Sequence, residues 1–223
     1  MLADLLDGIE PGAPAINLTV GEPRHPMPGF VIEALDEAKA GFANYPPIRG
    51  NAEFRTAVAH WLGRRYPPAA GLDDSRLGII PLSGTREGLF NVAFSARARK
   101  PGTANPALLM PNPFYHAYAG AAVGADLDPV YLNAGADTGF LPDLEAIGAD
   151  DLDRAAAFFL CSPANPQGAV ADAAYLEKAI ALARQHDFIL VADECYSEVY
   201  TVTPPPGVLE IAQEKTGGLA NVV

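Results

Sequence analysis

The stretch AAFFLCSPANPQG, residues 156–168, is an apolar run that ends in a rigid polar turn, and FILVADECY, residues 188–196, repeats that arrangement. Neither run alternates apolar with polar residues. Strands buried on both faces have this continuous pattern, whereas half-buried strands alternate. The two runs therefore predict strands of a parallel sheet that is covered by helices on both faces.

Further segments of both kinds lie along the chain. A helix is predicted after Asn51, which can cap it, because apolar residues from Phe54 to Leu62 recur at helical spacing. Other helices are predicted over residues 28–40, 85–99, 114–123 and 172–186, and other strands over Leu77–Leu82, Ala107–Met110 and Pro129–Leu132. The predicted fold class is α/β, a three-layer α/β/α arrangement with a mostly parallel sheet. Ligands of such sheets bind at the carboxyl edge, so the residues after each strand form the candidate site.

The composition narrows the classes of function. The 223 residues have a formal net charge of −12, with 15 Lys and Arg against 27 Asp and Glu, which excludes the basic face that nucleic-acid binding needs. No apolar window is long enough to cross a bilayer, and the acidic start lacks the basic region of a secretory signal. Cys161 and Cys195 are too few for a disulfide framework and are predicted to be buried free thiols. We expect a soluble, cytoplasmic protein.

Two segments predict contacts with a flat, phosphorylated ligand. The turn from Ser83 to Glu87 follows a predicted strand and opens a helix, so its free backbone N–H groups and the helix dipole favour a phosphate. The alternative is a turn that carries Ser-Gly for its geometry alone. The segment 111–118 brings aromatic side chains just past a strand end, where one could stack on a ring. The alternative places these aromatics in the core of the next helix.

Asn165 and Asp193 follow two further predicted strands. The Asn165 amide can donate to a ligand oxygen, although an Asn-Pro turn without a ligand has the same sequence. Asp193 leaves an apolar strand and needs a partner, such as a protonated ring nitrogen; the alternative is a helix N-cap. Together the four strand ends supply a phosphate site, a stacking aromatic, a donor to a phenolate-like oxygen and an acid for a pyridinium nitrogen. Pyridoxal 5′-phosphate (PLP) needs this set of contacts.

The sequence resembles the class I and II aminotransferases of PLP fold type I nearly end to end. The resemblance is carried by NLTVGEP at 17–23, NYPPIRG at 44–50, FRTAVAHWLGRRY at 54–66, SGTREGLF at 83–90, MPNPFYHAYAGA at 110–121, FFLCSPANPQGAV at 158–170 and ADECYSEVY at 192–200. Three of these segments are most similar to bacterial succinyldiaminopimelate aminotransferases, which serve lysine and cell-wall biosynthesis. The resemblance implies the fold type I large domain and amino transfer between N-succinyl-LL-diaminopimelate and 2-oxoglutarate.

The resemblance also implies which residues hold the cofactor. Gly84, Thr85 and Arg86 would bind its phosphate. Tyr115 would stack on its pyridine ring, as part of the family's Pro-x-Tyr-x-x-Tyr pattern at residues 113–118. These roles agree with the contacts that the strand ends suggest.

The remaining implied roles concern the ring edge, the substrate and a second subunit. Asp193 and Tyr196 take the catalytic roles, because Asp193 would keep the ring nitrogen protonated and so stabilise carbanion-like charge on the substrate. Asn165 would bind the phenolic oxygen of the cofactor, with Tyr196 beside it. Gly21 and Asn165 would contact the substrate. Tyr45 would reach the cofactor phosphate of a second subunit, so a homodimer is implied.

In the family's arrangement, residues 1–44 form an arm and a first helix of the small domain, and residues 45–223 form an incomplete large domain. The family anchors its cofactor on a lysine in a Ser-x-Ser-Lys loop, which follows a strand that would begin here near Asn221. None of the lysines of the chain lies in such a loop: Lys39, Lys100, Lys178 and Lys215. We therefore expect a chain that lacks the C-terminal part of the fold, is inactive alone, and leaves Leu77–Leu82 without its partner strand.

Other functions fit the sequence less well. A non-catalytic fragment or degenerate homologue that binds PLP or a partner chain would share every motif, and its PLP would not be trapped by borohydride. A nicotinamide-dependent oxidoreductase needs a GxGxxG turn after a strand, which the chain lacks. A metal enzyme is disfavoured because the histidines show no ligand spacing: His25, His60, His116 and His186.

Overall fold

The computed structural model describes residues 7–9, 12–14, 16, 21 and 25–223. The chain divides into two compact units, Met1–Tyr45 and Pro46–Val223. The first unit carries helix α1 (Gly29–Ala38), which continues as a 3₁₀ helix over Lys39–Ala43. The α-helix therefore ends slightly earlier than predicted. Most of the predicted N-terminal arm, including residues 17–20, lies outside the described residues.

A four-stranded parallel sheet forms the centre of the second unit. Its strands are β1 (Ala107–Asn112), β2 (Asp128–Asn133), β3 (Ala155–Cys161) and β4 (Ile189–Asp193), in the spatial order β2-β1-β3-β4. Each strand coincides with a predicted apolar run to within one or two residues at its ends. All pairings are parallel, so the four carboxyl ends meet at one edge of the sheet.

Helices cover both faces of this sheet. The second unit contains α2 (Ala52–Arg65), α3 (Asp74–Leu77), α4 (Thr85–Arg99), α5 (His116–Gly124), α6 (Ala149–Arg154), α7 (Ala173–Gln185) and α8 (Val208–Lys215). None of the helices in the described part of the chain is long and apolar enough to span a membrane. Buried side chains of α4 and α5 pack with Met110 and Phe159 on one face, and those of α7 and α8 pack with Phe158 and Leu190 on the other. These two cores confirm the predicted three-layer fold.

Side-chain caps explain where some helices begin. The Asn51 side chain accepts a hydrogen bond from Phe54 N at 2.8 Å, as predicted, and Asp172 accepts one from Tyr175 N at 2.8 Å. Such bonds satisfy N–H groups that have no partner within the helix. Helix α4 is different, because the residue before it is Gly84, which has no side chain to cap it. The N-terminus of α4 therefore has no side-chain cap from the residue before it, a feature it shares with α1, α5, α6 and α8.

The predicted strand Leu77–Leu82 is wrong. Leu77 ends helix α3, Gly78 follows in the left-handed conformation, and residues 79–82 form no strand. A strand needs a neighbour for its N–H and C=O groups, and no strand of the described sheet lies beside this segment. Ile80 and Leu82 accordingly remain 63% and 53% exposed. The apolar composition of the run was therefore not sufficient to make it a strand.

The last residues of the chain extend the sheet beyond β4. Leu190 N donates to Asn221 O at 2.8 Å, and Ala192 N donates to Val223 O at 2.8 Å. The return bond from Val223 N to Leu190 O measures 2.9 Å, and the bridge between Leu190 and Val222 is parallel. The backbone from Asn221 onward thus pairs with β4 where the resemblance implies that a further strand begins.

Candidate active site

A cavity of about 230 Å³ lies at the carboxyl edge of the sheet, where β1, β3 and β4 end. The residues that line it are Thr85, Leu89, Pro111, Pro113, Phe114, Tyr115, Tyr118, Cys161, Asn165, Asp193, Cys195 and Tyr196. The cavity thus brings together five of the predicted site residues, Thr85, Tyr115, Asn165, Asp193 and Tyr196. The edge of the sheet that the topology favours for a ligand is therefore also where these side chains converge.

Asp193 and Tyr118 form what we call the acidic end of the cavity. Tyr118 is fully buried, and its hydroxyl donates to Asp193 Oδ2 at 2.6 Å. Burial first, and then the Asp193 carboxylate, raise the pKa of Tyr118 well above its usual value, so the hydroxyl stays protonated. The backbone is fixed as well, because Ser162 N donates to Asp193 O at 3.2 Å. The acidic end is therefore a carboxylate held in place by a neutral, buried donor.

Asp193 caps no helix, which removes the alternative explanation for an acid at this position. The chain turns directly after β4, and the next helix begins only at Val208. Asp193 Oδ1 accepts from Cys195 N at 3.4 Å, which is long for such a bond. This oxygen is thus weakly engaged within the chain and can accept a hydrogen bond from a group in the cavity.

Asn165 and Tyr196 meet at the edge of the cavity. Asn165 Nδ2 donates to the Tyr196 hydroxyl at 3.0 Å. Two backbone bonds close the turn that carries Asn165, from Gly168 N to Ala164 O at 2.7 Å and from Ala164 N to Ala169 O at 2.8 Å. The amide has a second hydrogen and the phenol has its own proton, so both groups can donate to the same ligand oxygen.

Gly84, Thr85 and Arg86 form what we call the helix end of the cavity. Helix α4 begins at Thr85, whose side chain lines the cavity, whereas Gly84 and Arg86 flank it without lining the cavity. The exposed Arg86 donates through Nε to the Tyr115 hydroxyl at 2.8 Å, and this bond raises the pKa of Arg86. The Glu87 carboxylate lies over Gly84, where a Cβ atom would come within 2.5 Å of Glu87 Oε2. An open helix N-terminus and a guanidinium are therefore combined with one competing carboxylate.

Aromatic rings form one wall of the cavity. Tyr115 meets Tyr118 edge to face, with ring centroids 5.9 Å apart, and Tyr118 meets Phe159 in the same way at 5.2 Å. Tyr115 immediately precedes α5 and is only partly buried, whereas Tyr118 and Phe159 belong to the core. Tyr115 and Tyr118 both line the cavity, and Tyr118 also belongs to the core, as the alternative interpretation places it. That Tyr115 stacks on a ligand ring stays a prediction.

Gly21 and Tyr45 are the other predicted site residues, and both belong to the first unit. Gly21 is a described residue, but residues 17–20 and 22–24 on either side of it are not described. The contacts expected of Gly21 with the substrate and of Tyr45 with a second subunit's cofactor stay predictions.

Three residues of the cavity had no role or a different one in the sequence analysis. The sequence marks Tyr118 only as part of a motif, but the structure makes it the partner of Asp193. Cys161 and Cys195 are free, as predicted, but the prediction that they are buried is wrong, because Cys161 is partly buried and Cys195 is exposed. Both follow the apolar part of a strand, where the cavity opens. The position of the two cysteines at or just after a strand end therefore indicates that they lie at the cavity, whereas the apolar run before them wrongly indicated burial in the core.

Glu194 supports the acidic end from behind. Its Oε2 accepts from the Tyr66 hydroxyl at 2.6 Å, and its Oε1 accepts from Val208 N at 2.6 Å. Burial raises the pKa of Glu194 and, together with the Glu194 carboxylate, that of Tyr66. Successive side chains along a strand point to opposite sides, so two consecutive acids at a strand end lie in two different environments. Here Asp193 faces the cavity and Glu194 ties the segment after β4 to Tyr66 and to the start of α8.

Comparison with known proteins places this chain in a family. The sequence profile described as "Aminotransferase class I and II" matches residues 13–217. The chain belongs to the class I and II aminotransferase family. LL-diaminopimelate aminotransferases from Desulforudis audaxviator and Nitratidesulfovibrio vulgaris are 35% and 37% identical to it, over 93% and 92% of this chain and 52% and 51% of theirs. The crystal structure of aminotransferase AspB from Helicobacter pylori matches with a TM-score of 0.89 at 32% identity, over 99% of this chain and 57% of that one.

The chain spans about half the length of the curated relatives it matches. Over that half it has the fold type I architecture of its structural neighbours. The family uses PLP as its cofactor. The donor set around the cavity fits this group, because a carboxylate, an amide with a phenol, an aromatic ring and an open helix N-terminus surround one space of about 230 Å³.

Proposed function

We propose that the protein carrying this chain is a PLP-dependent aminotransferase that moves an amino group between an amino acid and 2-oxoglutarate. The observation that supports this most strongly is the convergence of Thr85, Tyr115, Asn165 and Asp193 on one cavity at the carboxyl edge of the sheet. Membership of the aminotransferase family supports the same reaction. When bound, PLP supplies an electron-withdrawing pyridinium ring that stabilises negative charge on the substrate's α-carbon.

At the acidic end, Asp193 would hold a proton on the ring nitrogen. An ionised carboxylate favours the protonated form of a nitrogen beside it, because the opposite charges attract. Tyr118 donates to Oδ2 at 2.6 Å and so fixes the carboxylate without neutralising it. The second oxygen, which accepts a long bond from Cys195 N, is the one that would bind the ring nitrogen.

Asn165 and Tyr196 would bind the phenolic oxygen of the cofactor, and Tyr115 would cover one face of its ring. The bond between Asn165 and Tyr196 at 3.0 Å places both donors at one edge of the cavity. Asn165 and Gly21 would also contact the substrate. Tyr196 would therefore act with Asp193 as the second catalytic residue, by holding charge on the phenolic oxygen.

At the helix end, the cofactor phosphate would bind to the first N–H groups of α4 and to Thr85 and Arg86, with Gly84 allowing its close approach. A helix N-terminus attracts anions through its dipole and its free N–H groups. Arg86 uses Nε for Tyr115, which leaves the two terminal nitrogens of its guanidinium for the phosphate. The same bond orients Tyr115, so phosphate binding and ring stacking would be linked.

The enzyme would work as a homodimer with its substrates as the small-molecule partners. The proposed role of Tyr45, which reaches the phosphate of a second subunit, requires two chains. Light scattering of the purified protein measures its mass in solution. A mass of twice the chain supports the dimer, and a monomer that is fully active contradicts it.

The proposed amino donor has the LL-diaminopimelate skeleton. The similarity of three segments to succinyldiaminopimelate aminotransferases favours the N-succinylated form, whereas the curated relatives carry the name LL-diaminopimelate aminotransferase. The two donors differ by one succinyl group, which replaces a positive charge with a negative one. A single enzyme therefore discriminates strongly between them, and the ratio of their kcat/KM values identifies the donor.

The deciding experiment is a transamination assay on the protein purified from its natural source. Glutamate is measured after mixing the protein with 2-oxoglutarate, PLP and each donor in turn. Glutamate formation with either donor supports the proposal, and formation with neither contradicts it. The intact mass of a parallel sample is measured after borohydride treatment, because borohydride reduces the bond between the cofactor and a lysine and so fixes the cofactor to the protein.

The alternative of a non-catalytic binding protein predicts a different pair of results. Such a protein would change the absorbance of PLP on binding, but it would form no glutamate and would retain no cofactor after borohydride treatment. The 223-residue chain provides the matched comparison, since it contains the cavity but no lysine in the family's loop.

A further inference from the structure

Two free thiols lie beside Asp193 in the wall of the active-site cavity. Cys161 is the last residue of β3 and pairs in register with Asp193, the last residue of β4. Because side chains alternate along a strand, Cys161 shares its face with Phe159, and Asp193 shares its face with Val191; both belong to the same core cluster. Cys195 follows two residues later, where the chain turns. The topology thus brings both thiols to one place.

Both thiols line the wall of one cavity of about 230 Å³. Neighbouring parallel strands lie about 4.8 Å apart; Asp193 is the residue opposite Cys161, and Cys195 lies two residues beyond it, after the chain has turned out of β4. Cys195 lies close to the end of β4, with its backbone N 3.4 Å from Asp193 Oδ1. The Cys161 thiol donates to Pro163 O at 3.2 Å, so it sits at the start of the turn that follows β3.

The two thiols are chemically unequal. A hydrogen bond from Cys195 lowers the pKa of Cys161, whereas the same contact, and then burial, raise the pKa of Cys195. Cys161 therefore ionises first, and Cys195 keeps its proton as the donor. A thiolate is the nucleophilic form of cysteine, so Cys161 is the thiol that reacts first. Cys161 is partly buried and lines the cavity, through which a small oxidant reaches it, and Cys195 is exposed.

We propose that Cys161 and Cys195 form a reversible dithiol–disulfide site that is oxidised by peroxides. The Cys161 thiolate attacks one peroxide oxygen, the O–O bond breaks, and hydroxide leaves with the proton of the medium as water. The Cys195 thiol then attacks the Cys161 sulfenic sulfur, the S–O bond breaks, and a second water leaves. The two thiols lose two electrons and two protons in total, and a thiol reductant reverses the reaction.

Disulfide formation changes the cavity, a consequence that rests on the proposed function. The bond would draw the segment after β4 towards the end of β3; that segment carries Tyr196 and directly follows Asp193. The oxidised chain should therefore bind PLP more weakly. By the same linkage, bound PLP protects the thiols: at about ten times its Kd it should slow oxidation about elevenfold, because only the free chain reacts.

The disulfide is tested on the 223-residue chain with hydrogen peroxide, followed by iodoacetamide labelling and intact mass measurement. We expect Cys161 and Cys195 to lose their iodoacetamide labelling together, and the chain to become about 2 Da lighter. A digest should contain one cross-linked peptide that joins Cys161 to Cys195, and dithiothreitol should restore both free thiols. Cys195→Ser should instead gain about 16 Da on Cys161, and Cys161→Ser should react more slowly. Independent oxidation of the two thiols, or cross-links between chains alone, would overturn the proposal.

The protection by PLP is measured separately. PLP binding is first recorded by absorbance without any oxidant, and the rate of disulfide formation is then measured across a PLP titration. A rate that falls with PLP occupancy supports the coupling to the cavity. A disulfide that forms at the same rate with PLP bound overturns the coupling, whereas an absence of PLP binding before oxidation counts against the proposed function and leaves the thiol chemistry standing.

Discussion

The two ends of the cavity are built in opposite ways. At the acidic end, Tyr118 is fully buried, donates to Asp193 at 2.6 Å, and is backed by Phe159. At the helix end, Thr85 and Arg86 are exposed, and a side-chain bond there joins Arg86 to the partly buried Tyr115. One end is preformed in the core, and the other lies at the surface.

The difference in burial indicates which end contributes to cofactor affinity and which end sets the charge of the bound cofactor. A hydrogen bond to a charge is stronger where water is excluded, because the local dielectric constant is low. Exposed charge contacts contribute little and are weakened by salt. We therefore expect the acidic end to control the chemistry and part of the fold, and the helix end to adjust affinity for the phosphate.

The largest effect is expected from Asp193→Asn, which tests the acidic end. The amide oxygen of asparagine can still accept from Tyr118, so the fold should persist, but the side chain no longer carries the charge that keeps the ring nitrogen protonated. Losing such an electrostatic contact costs about 10²–10³-fold or more in kcat. The measurement is transamination by the purified protein, alongside its thermal unfolding.

Asp126→Asn is the matched control for this change. Asp126 is exposed, precedes β2 at the opposite edge of the sheet, and has a φ of 56°, which asparagine tolerates well. Its kcat should equal that of the unchanged protein. Near-normal turnover by Asp193→Asn would exclude a role for this carboxylate at the ring nitrogen.

A pair of tyrosine variants compares the two ends directly through stability. Tyr118→Phe removes the buried donor to Asp193 and should lower the free energy of unfolding by about 1–3 kcal/mol, because a partly buried charge loses a hydrogen bond. Tyr115→Phe removes the same hydroxyl from the exposed bond to Arg86 and should change it by less than about 0.5 kcal/mol. Urea unfolding curves of both variants measure the difference. Equal losses would mean that the two ends do not differ in burial as described.

Much of the fold was accessible from the sequence, because burial on both faces leaves a local pattern. The runs that became β1 to β4, and the cap at Asn51, are encoded within a few residues. The run Leu77–Leu82 has the same composition but forms no strand, since a strand also depends on a neighbour that no local pattern describes.

The candidate site was predictable in its members but not in their contacts. Asn165, Asp193 and Tyr115 follow strand ends, and parallel topology is enough to bring such residues together. The partner of Asp193 was not predictable, because Tyr118 lies 75 positions away on another element and is indistinguishable by pattern from a core aromatic. Side-chain pairing across elements depends on packing that a single sequence does not display.

The smallest effect is expected from Glu87→Gln at the helix end. The Glu87 carboxylate lies over Gly84 at the N-terminus of α4, where it satisfies the helix dipole but repels a second anion. A charge at this position is worth about 0.3–1 kcal/mol, so its removal should tighten phosphate binding about two- to fivefold. Inorganic phosphate and PLP titrations measure the affinity, and the gain should shrink as salt is added. Glu177→Gln, on α7 at the other face of the sheet, should leave the affinity unchanged, and an equal gain from both variants would show that only net charge matters.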